Sequence, residues 1–202
     1  MSKKNFDVVV YGATGFTGKL VVEYMLNQYG DDETISWAMA GRSHEKLVAV
    51  RDALGVSKDV PLLTVDSDDE ESITQMVQQT QCVLTTVGPY QLYGPNIVRQ
   101  CVAHGTDYVD LCGEPGWMHE MINEHAAQAK ETGARIVFSC GFDSIPFDLG
   151  VLFVQNAAKE KYGMSAPHVR GRVRAMHGEF SGGTVASLSA TMSTLREKPE
   201  LI

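Results

Sequence analysis

The sequence predicts an α/β fold built on a doubly wound parallel sheet. Three observations carry this. Short apolar runs alternate with helical patterns from residue 6 to about residue 140. The first run holds three consecutive valines rather than one apolar residue in two, as in a strand covered on both faces. A glycine-rich turn stands directly between the first run and the first helical pattern. Such alternation implies parallel strands joined by right-handed crossovers, with helices on both faces.

The first strand is Phe6 to Tyr11, with three consecutive valines. A helix from about Gly15 places Phe16, Leu20, Val21, Tyr24 and Met25 on one stripe, expected to be buried. A second strand runs from Ile35 to Ala40 and ends at Gly41. Helix 44–54 presents Leu47, Val50 and Leu54, and Gly55 stands where a C-terminal cap belongs. Strand 61–65, helix 69–79 and strand 82–87 follow, then a helix opened by Pro95 and closed near Gly105. Strand 107–111, a helix opened by Pro115 and stopped by Gly133, and strand 135–139 complete the alternation.

The texture changes after Cys140. Residues 141–150 are a turn-rich junction, and 147–162 read as an amphipathic helix carrying Phe147, Leu149, Leu152, Phe153 and Ala157. Residues 168–177 read as a strand, with Arg170, Arg172 and Arg174 on one face, either meeting an anion or simply solvated. The tail from Ser181 begins a helix that stops on Lys198-Pro199. These features place a boundary near residue 145. Residues 1–145 can close their own core, and 146–202 begin an α+β domain without finishing it. A strand edge exposed there would favour a homo-oligomer.

Composition removes several classes of function. The chain has 202 residues, 17 Lys+Arg against 25 Asp+Glu, and a net charge of −8. An acidic surface is unsuited to nucleic-acid phosphates. No run approaches the ~20 apolar residues of a membrane helix, and the N-terminus reads as a strand rather than a signal peptide. Cys82, Cys101, Cys112 and Cys140 are widely spaced, which fits a reducing cytoplasm better than a zinc site or a disulfide framework.

The sharpest motif is Gly12-Ala13-Thr14-Gly15-Phe16-Thr17-Gly18. Its Gly-x-x-Gly-x-x-Gly spacing, between strand and helix, is a dinucleotide-binding fingerprint and makes the sheet Rossmann-type. Gly12 permits the tight turn, Gly15 lets backbone approach the pyrophosphate, and Gly18 lets the helix pack close. The end of the second strand decides which dinucleotide. NAD sites carry Asp or Glu there, whereas this chain has Gly41-Arg42-Ser43 with Lys46 nearby. A guanidinium matches a 2′-phosphate, so NADP is preferred over NAD. Asp66, after the third strand, either contacts the adenine or closes a turn.

Further motifs join these in order: Gly88-Pro89-Tyr90, Tyr93-Gly94, residues 101–110, Gly113-Glu114 and Gly141-Phe142-Asp143-Ser144-Ile145-Pro146. Together with Ala40-Gly41-Arg42-Ser43, they resemble the saccharopine-dehydrogenase-like oxidoreductases. The branch most similar contains the trans-acting enoyl reductases of bacterial lipid synthesis. The resemblance covers essentially the whole chain, and family members are usually about twice as long. It implies an NADP-binding domain, a separate substrate domain and hydride transfer to a small or lipid-like substrate. It also implies peripheral association with lipid or membrane surfaces.

Candidate chemistry gathers at the carboxyl ends of the strands. Val87, Gly88 and Pro89 would pass beside the nicotinamide ribose. Tyr90 matches a tyrosine near the active site of saccharopine reductases; it either serves substrate as a proton donor or packs with a satisfied hydroxyl. Glu114 either faces the cofactor or favours the start of the next helix. Asp143 is a third catalytic candidate, in a turn that departs from the reductases' pattern. Two other functions compete. A non-catalytic NADP sensor would keep the glycine loop and lack a proton donor. A short-chain dehydrogenase or epimerase would need Tyr-x-x-x-Lys, and none of the seven tyrosines has a lysine four positions later.

Overall fold

The computed structural model describes residues 4–30, 34–178 and 181–197. Its elements are β1 (Phe6–Tyr11), α1 (Phe16–Tyr29), β2 (Trp37–Gly41), α2 (His44–Leu54), β3 (Leu62–Thr64), α3 (Glu70–Gln79) and β4 (Thr80–Thr85). Then come α4 (Tyr90–Ala103), β5 (Asp107–Val109), α5 (Pro115–Thr132), β6 (Ile136–Val137), α6 (Ile145–Tyr162) and α7 (Gly182–Glu197). All strand pairs are parallel, in the order β3-β2-β1-β4-β5-β6.

β1 sits at the centre because it is apolar on both faces. Val9 faces Ala38 on β2 and Val83 on β4 in register, and both Val9 and Val10 are fully buried. Val10 joins a core with Val22, Met25, Leu47 and Val50 of α1 and α2. Val9 joins the larger core on the other face, with Ile73, Met76, Ile97 and Trp117 of α3, α4 and α5. The connections change face between β3 and β4, so the strand order reverses beside β1. Ligands of open α/β sheets bind at the carboxyl ends there.

Several expectations need correction. The buried stripe of α1 is Gly18, Val22 and Met25, whereas Phe16, Leu20 and Tyr24 are exposed. Gly18 sets this rotation: a Cβ there would lie 2.0 Å from the carbonyl oxygen of Gly12, so backbone must meet backbone. α4 begins at Tyr90 rather than Pro95, with Pro89 at its N-cap. Its first amides are taken by Glu114, a partner 24 residues away that local signals do not reveal. β4 starts two residues earlier than expected, and β6 keeps only two residues.

The expected strand at 168–177 is irregular, with Arg170, Arg172 and Arg174 exposed. A strand needs a neighbour to bond its amides and carbonyls, and among the described residues nothing pairs with this segment. α6 forms as expected, but none of its residues is buried. The expected stop at Lys198-Pro199 lies outside the described residues.

Candidate functional site

A cavity of about 330 Å³ opens at the carboxyl ends of β1, β2 and β4. The glycine loop forms its floor. The amides of Gly12 and Ala13 both donate to the Ala40 carbonyl, at 3.0 and 3.1 Å, and Gly15 N donates to Gly12 O at 2.9 Å. Gly12 has φ +90°, in the left-handed region that glycine tolerates, and a Cβ there would stand 2.7 Å from Thr86 Oγ1. Thr86 Oγ1 in turn donates to Gly12 O at 3.3 Å, locking the end of β4 to the loop. Gly15 caps α1 without any side-chain hydrogen bond. The first amides of α1 therefore remain available to an anion, aided by the helix dipole.

Thr14, Gly15, Phe16, Thr17 and Gly18 all line the cavity. At the β2 end, Arg42, Ser43 and Lys46 line it too. Arg42 and Lys46 are exposed, two cations beside the loop. Ser43 Oγ accepts from Lys46 N at 3.3 Å, which caps α2 and holds Lys46 at the first turn. These residues fit a dinucleotide carrying an extra phosphate: bare backbone for the pyrophosphate, and two cations for the 2′-phosphate.

Asp66 does not line the cavity; its Oδ1 accepts from Asp68 N at 3.1 Å and closes a turn. The neighbouring Ser67 lines the cavity instead. Burial pushes the hydroxyl of Tyr11 up to about 12, against the pull of its hydrogen bond with Ser67, so that phenol stays protonated.

At the β4 end, Val87 and Gly88 line the cavity, but Pro89 does not. Tyr90 turns away into the core. It is 4% exposed, its hydroxyl donates to Thr85 O at 3.3 Å, and its ring stacks on Trp117 at 5.8 Å. Burial raises its pKa further still. Glu114 is 3% exposed and lies outside the cavity lining, with both carboxylate oxygens bonded to the first amides of α4. Asp143 is exposed in the turn before α6, also outside that lining. The three residues expected to carry catalysis are thus not gathered in the cavity.

Thr86 lines the cavity at the end of β4, and Tyr93, Ser181 and Gly183 line it without having been expected there. Starting α4 at Tyr90 would have placed Tyr93 in its first turn, beside the strand ends. Ser181 and Gly183 precede and open α7, and no local pattern signals that this segment returns to the cavity.

Comparison with known proteins accords with this geometry. Residues 8–137 match the saccharopine dehydrogenase NADP binding domain. A protein of Mycobacterium tuberculosis, provisionally named a trans-acting enoyl reductase, is 46% identical over 98% of this chain and 46% of its own length. A lipid droplet localized protein of Caenorhabditis elegans is 41% identical over 93% of this chain and 45% of its own. The chain spans about half the length of the curated relatives it matches. The apo saccharopine dehydrogenase (L-Glu forming) of Saccharomyces cerevisiae shares the fold, with TM-score 0.58 and 17% identity over 77% of this chain and 31% of that one. The chain belongs to the saccharopine dehydrogenase-like oxidoreductases, and residues 8–137 are its NADP-binding domain.

Proposed function

We propose that the chain is the cofactor-binding part of an enoyl reductase acting on a lipid-like acyl chain. The observation that carries the reading is the cavity itself: a bare glycine loop flanked by Arg42 and Lys46, in a chain whose relatives include a provisionally named trans-acting enoyl reductase. NADPH, when bound, supplies a hydride for the β-carbon of the double bond, and a proton reaches the α-carbon. Gly12, Thr14, Gly15, Phe16, Thr17 and Gly18 hold the pyrophosphate, and Arg42 with Ser43 and Lys46 holds the 2′-phosphate. Val87 and Gly88 lie toward the nicotinamide ribose.

The division near residue 145 remains part of the proposal, with 146–202 opening a substrate or dimerisation domain. Peripheral lipid association and a homo-oligomer belong to it as well. Phe147, Leu149, Leu152 and Phe153 of α6 are all exposed, and the Caenorhabditis elegans relative is named for lipid droplets. Among the described residues, no helix is long and apolar enough to cross a membrane.

Cofactor oxidation should be followed by absorbance with an α,β-unsaturated acyl thioester, for this chain and a full-length relative. Thioester-dependent oxidation is expected of the full-length relative, and slow oxidation or none of this chain, with NADPH preferred over NADH by about tenfold, or ~1.4 kcal/mol, in both. Arg42→Ala should lose that preference. Tight NADPH binding with no thioester-dependent oxidation in either protein would remove the reductase reading.

A further inference from the structure

We propose that Glu114 is a positioning residue for the nicotinamide half of bound NADP(H), acting through the loop between β4 and α4. The inference rests on the cofactor site proposed above. Glu114 Oε1 accepts from Tyr90 N at 2.9 Å, and Oε2 accepts from Gln91 N at 2.8 Å. Pro89, the N-cap of α4, offers no side-chain hydrogen bond, so this distant carboxylate does the capping. A buried carboxylate is costly unless hydrogen-bonded, and the helix dipole favours it here.

Glu114 is itself held. Its own amide donates to Cys112 Sγ at 3.3 Å, and Cys112 N donates to Asp110 Oδ1 at 2.9 Å. Ser139 N also donates to Asp110 Oδ1, and Ser139 Oγ donates to the Cys112 carbonyl at 2.7 Å. Tyr108 closes the set by donating its hydroxyl to Asp110 Oδ2 at 2.8 Å. This network, buried at Tyr108, Asp110, Cys112 and Glu114 and half-buried at Ser139, joins the carboxyl ends of β5 and β6 to the first turn of α4.

What the network positions is the segment just before Tyr90. Val87 and Gly88 line the cavity, and two hydrogen bonds at Tyr90 and Gln91 anchor the residues that follow them. With the glycine loop on β1 and Arg42 on β2, a dinucleotide lies across the sheet with its other half over β4. Glu114 therefore governs the half of the cavity that Arg42 does not reach.

The test compares NADPH with 2′,5′-ADP, which has the 2′-phosphate and lacks the nicotinamide. Calorimetric titration of both into wild type, Glu114→Gln and Glu114→Ala separates the two halves, and thermal unfolding reports stability. Glu114→Ala should weaken NADPH about tenfold, and Glu114→Gln, which keeps one acceptor, about threefold. Binding of 2′,5′-ADP should change less than about twofold in both. Should Glu114→Ala fail to fold, Glu114→Gln carries the test. An unchanged ratio of the two affinities in Glu114→Gln overturns the inference, even if that variant melts earlier. A wild type that binds neither ligand removes the cofactor site and this inference with it.

Discussion

Helices α4 and α6 look alike in sequence: each carries a run of apolar residues, and each has an interior glycine. Their fates differ. Among its 14 residues, α4 buries seven, including Tyr90, Ile97, Val98 and Cys101, while α6 buries none of its 18. Gly94 of α4 lies under the ring of Trp117, where a Cβ would come within 2.3 Å of the indole. Gly150 of α6 meets nothing within 4 Å. A periodic apolar pattern specifies a helix, but burial needs a neighbour, and the sheet, α3 and α5 supply one for α4.

The packed region should break most severely where backbone meets backbone. In Gly18→Val the new side chain would start 2.0 Å from Gly12 O and 2.7 Å from Gly12 C, neither of which can move independently of β1. The loss expected is at least about 4 kcal/mol, a large part of a domain's stability. Urea unfolding should find the variant unfolded or nearly so. A variant of ordinary stability would mean that α1 can lift away from the loop.

Gly94→Ala and Gly150→Ala then form a pair with opposite signs. The first must displace the Trp117 ring in a filled core and should cost about 1–3 kcal/mol. The second should stabilise the chain by about 0.5–1 kcal/mol, through helix propensity alone. Chemical denaturation of both gives the answer. A destabilising Gly150→Ala would show that something packs on α6 in solution, and the contrast between the two helices would fall.

The smallest effect concerns Asp110, whose carboxyl is pushed up mainly by burial, against amide hydrogen bonds from Cys112 and Ser139. Its folded pKa lies above its unfolded one. Its contribution to stability is therefore complete below the unfolded value and is lost as pH rises through the folded value. Asp110→Asn can still accept from both amides and carries no charge. Measured from mildly acid to neutral pH, the stability of wild type relative to this variant should decline as pH rises. A pH-independent difference would place the charge of Asp110 in a better-compensated setting than its burial indicates.

The sequence by itself determined the alternation of strands and helices, because strand apolarity, glycine caps and the proline that opens α5 are local signals. Gly55 and Gly133 end α2 and α5 in the left-handed conformation at the positions their sequence contexts predict. The glycine loop and Arg42 were legible for the same reason: turn chemistry and a strand-end cation are written in a few adjacent residues. Tertiary structure decided the rest. It turned Phe16 and Leu20 outward because Gly18 had to touch Gly12, and it left 168–177 irregular for want of a pairing strand. It drew Tyr90 into the core, gave Glu114 to the amides of α4 and brought Ser181 and Gly183 to the cavity. Gly12 and Gly18 share one motif, but their contact exists only once the loop has folded; the other outcomes turn on partners far away in sequence, such as Trp117 for Tyr90 and Glu114 for the amides of α4.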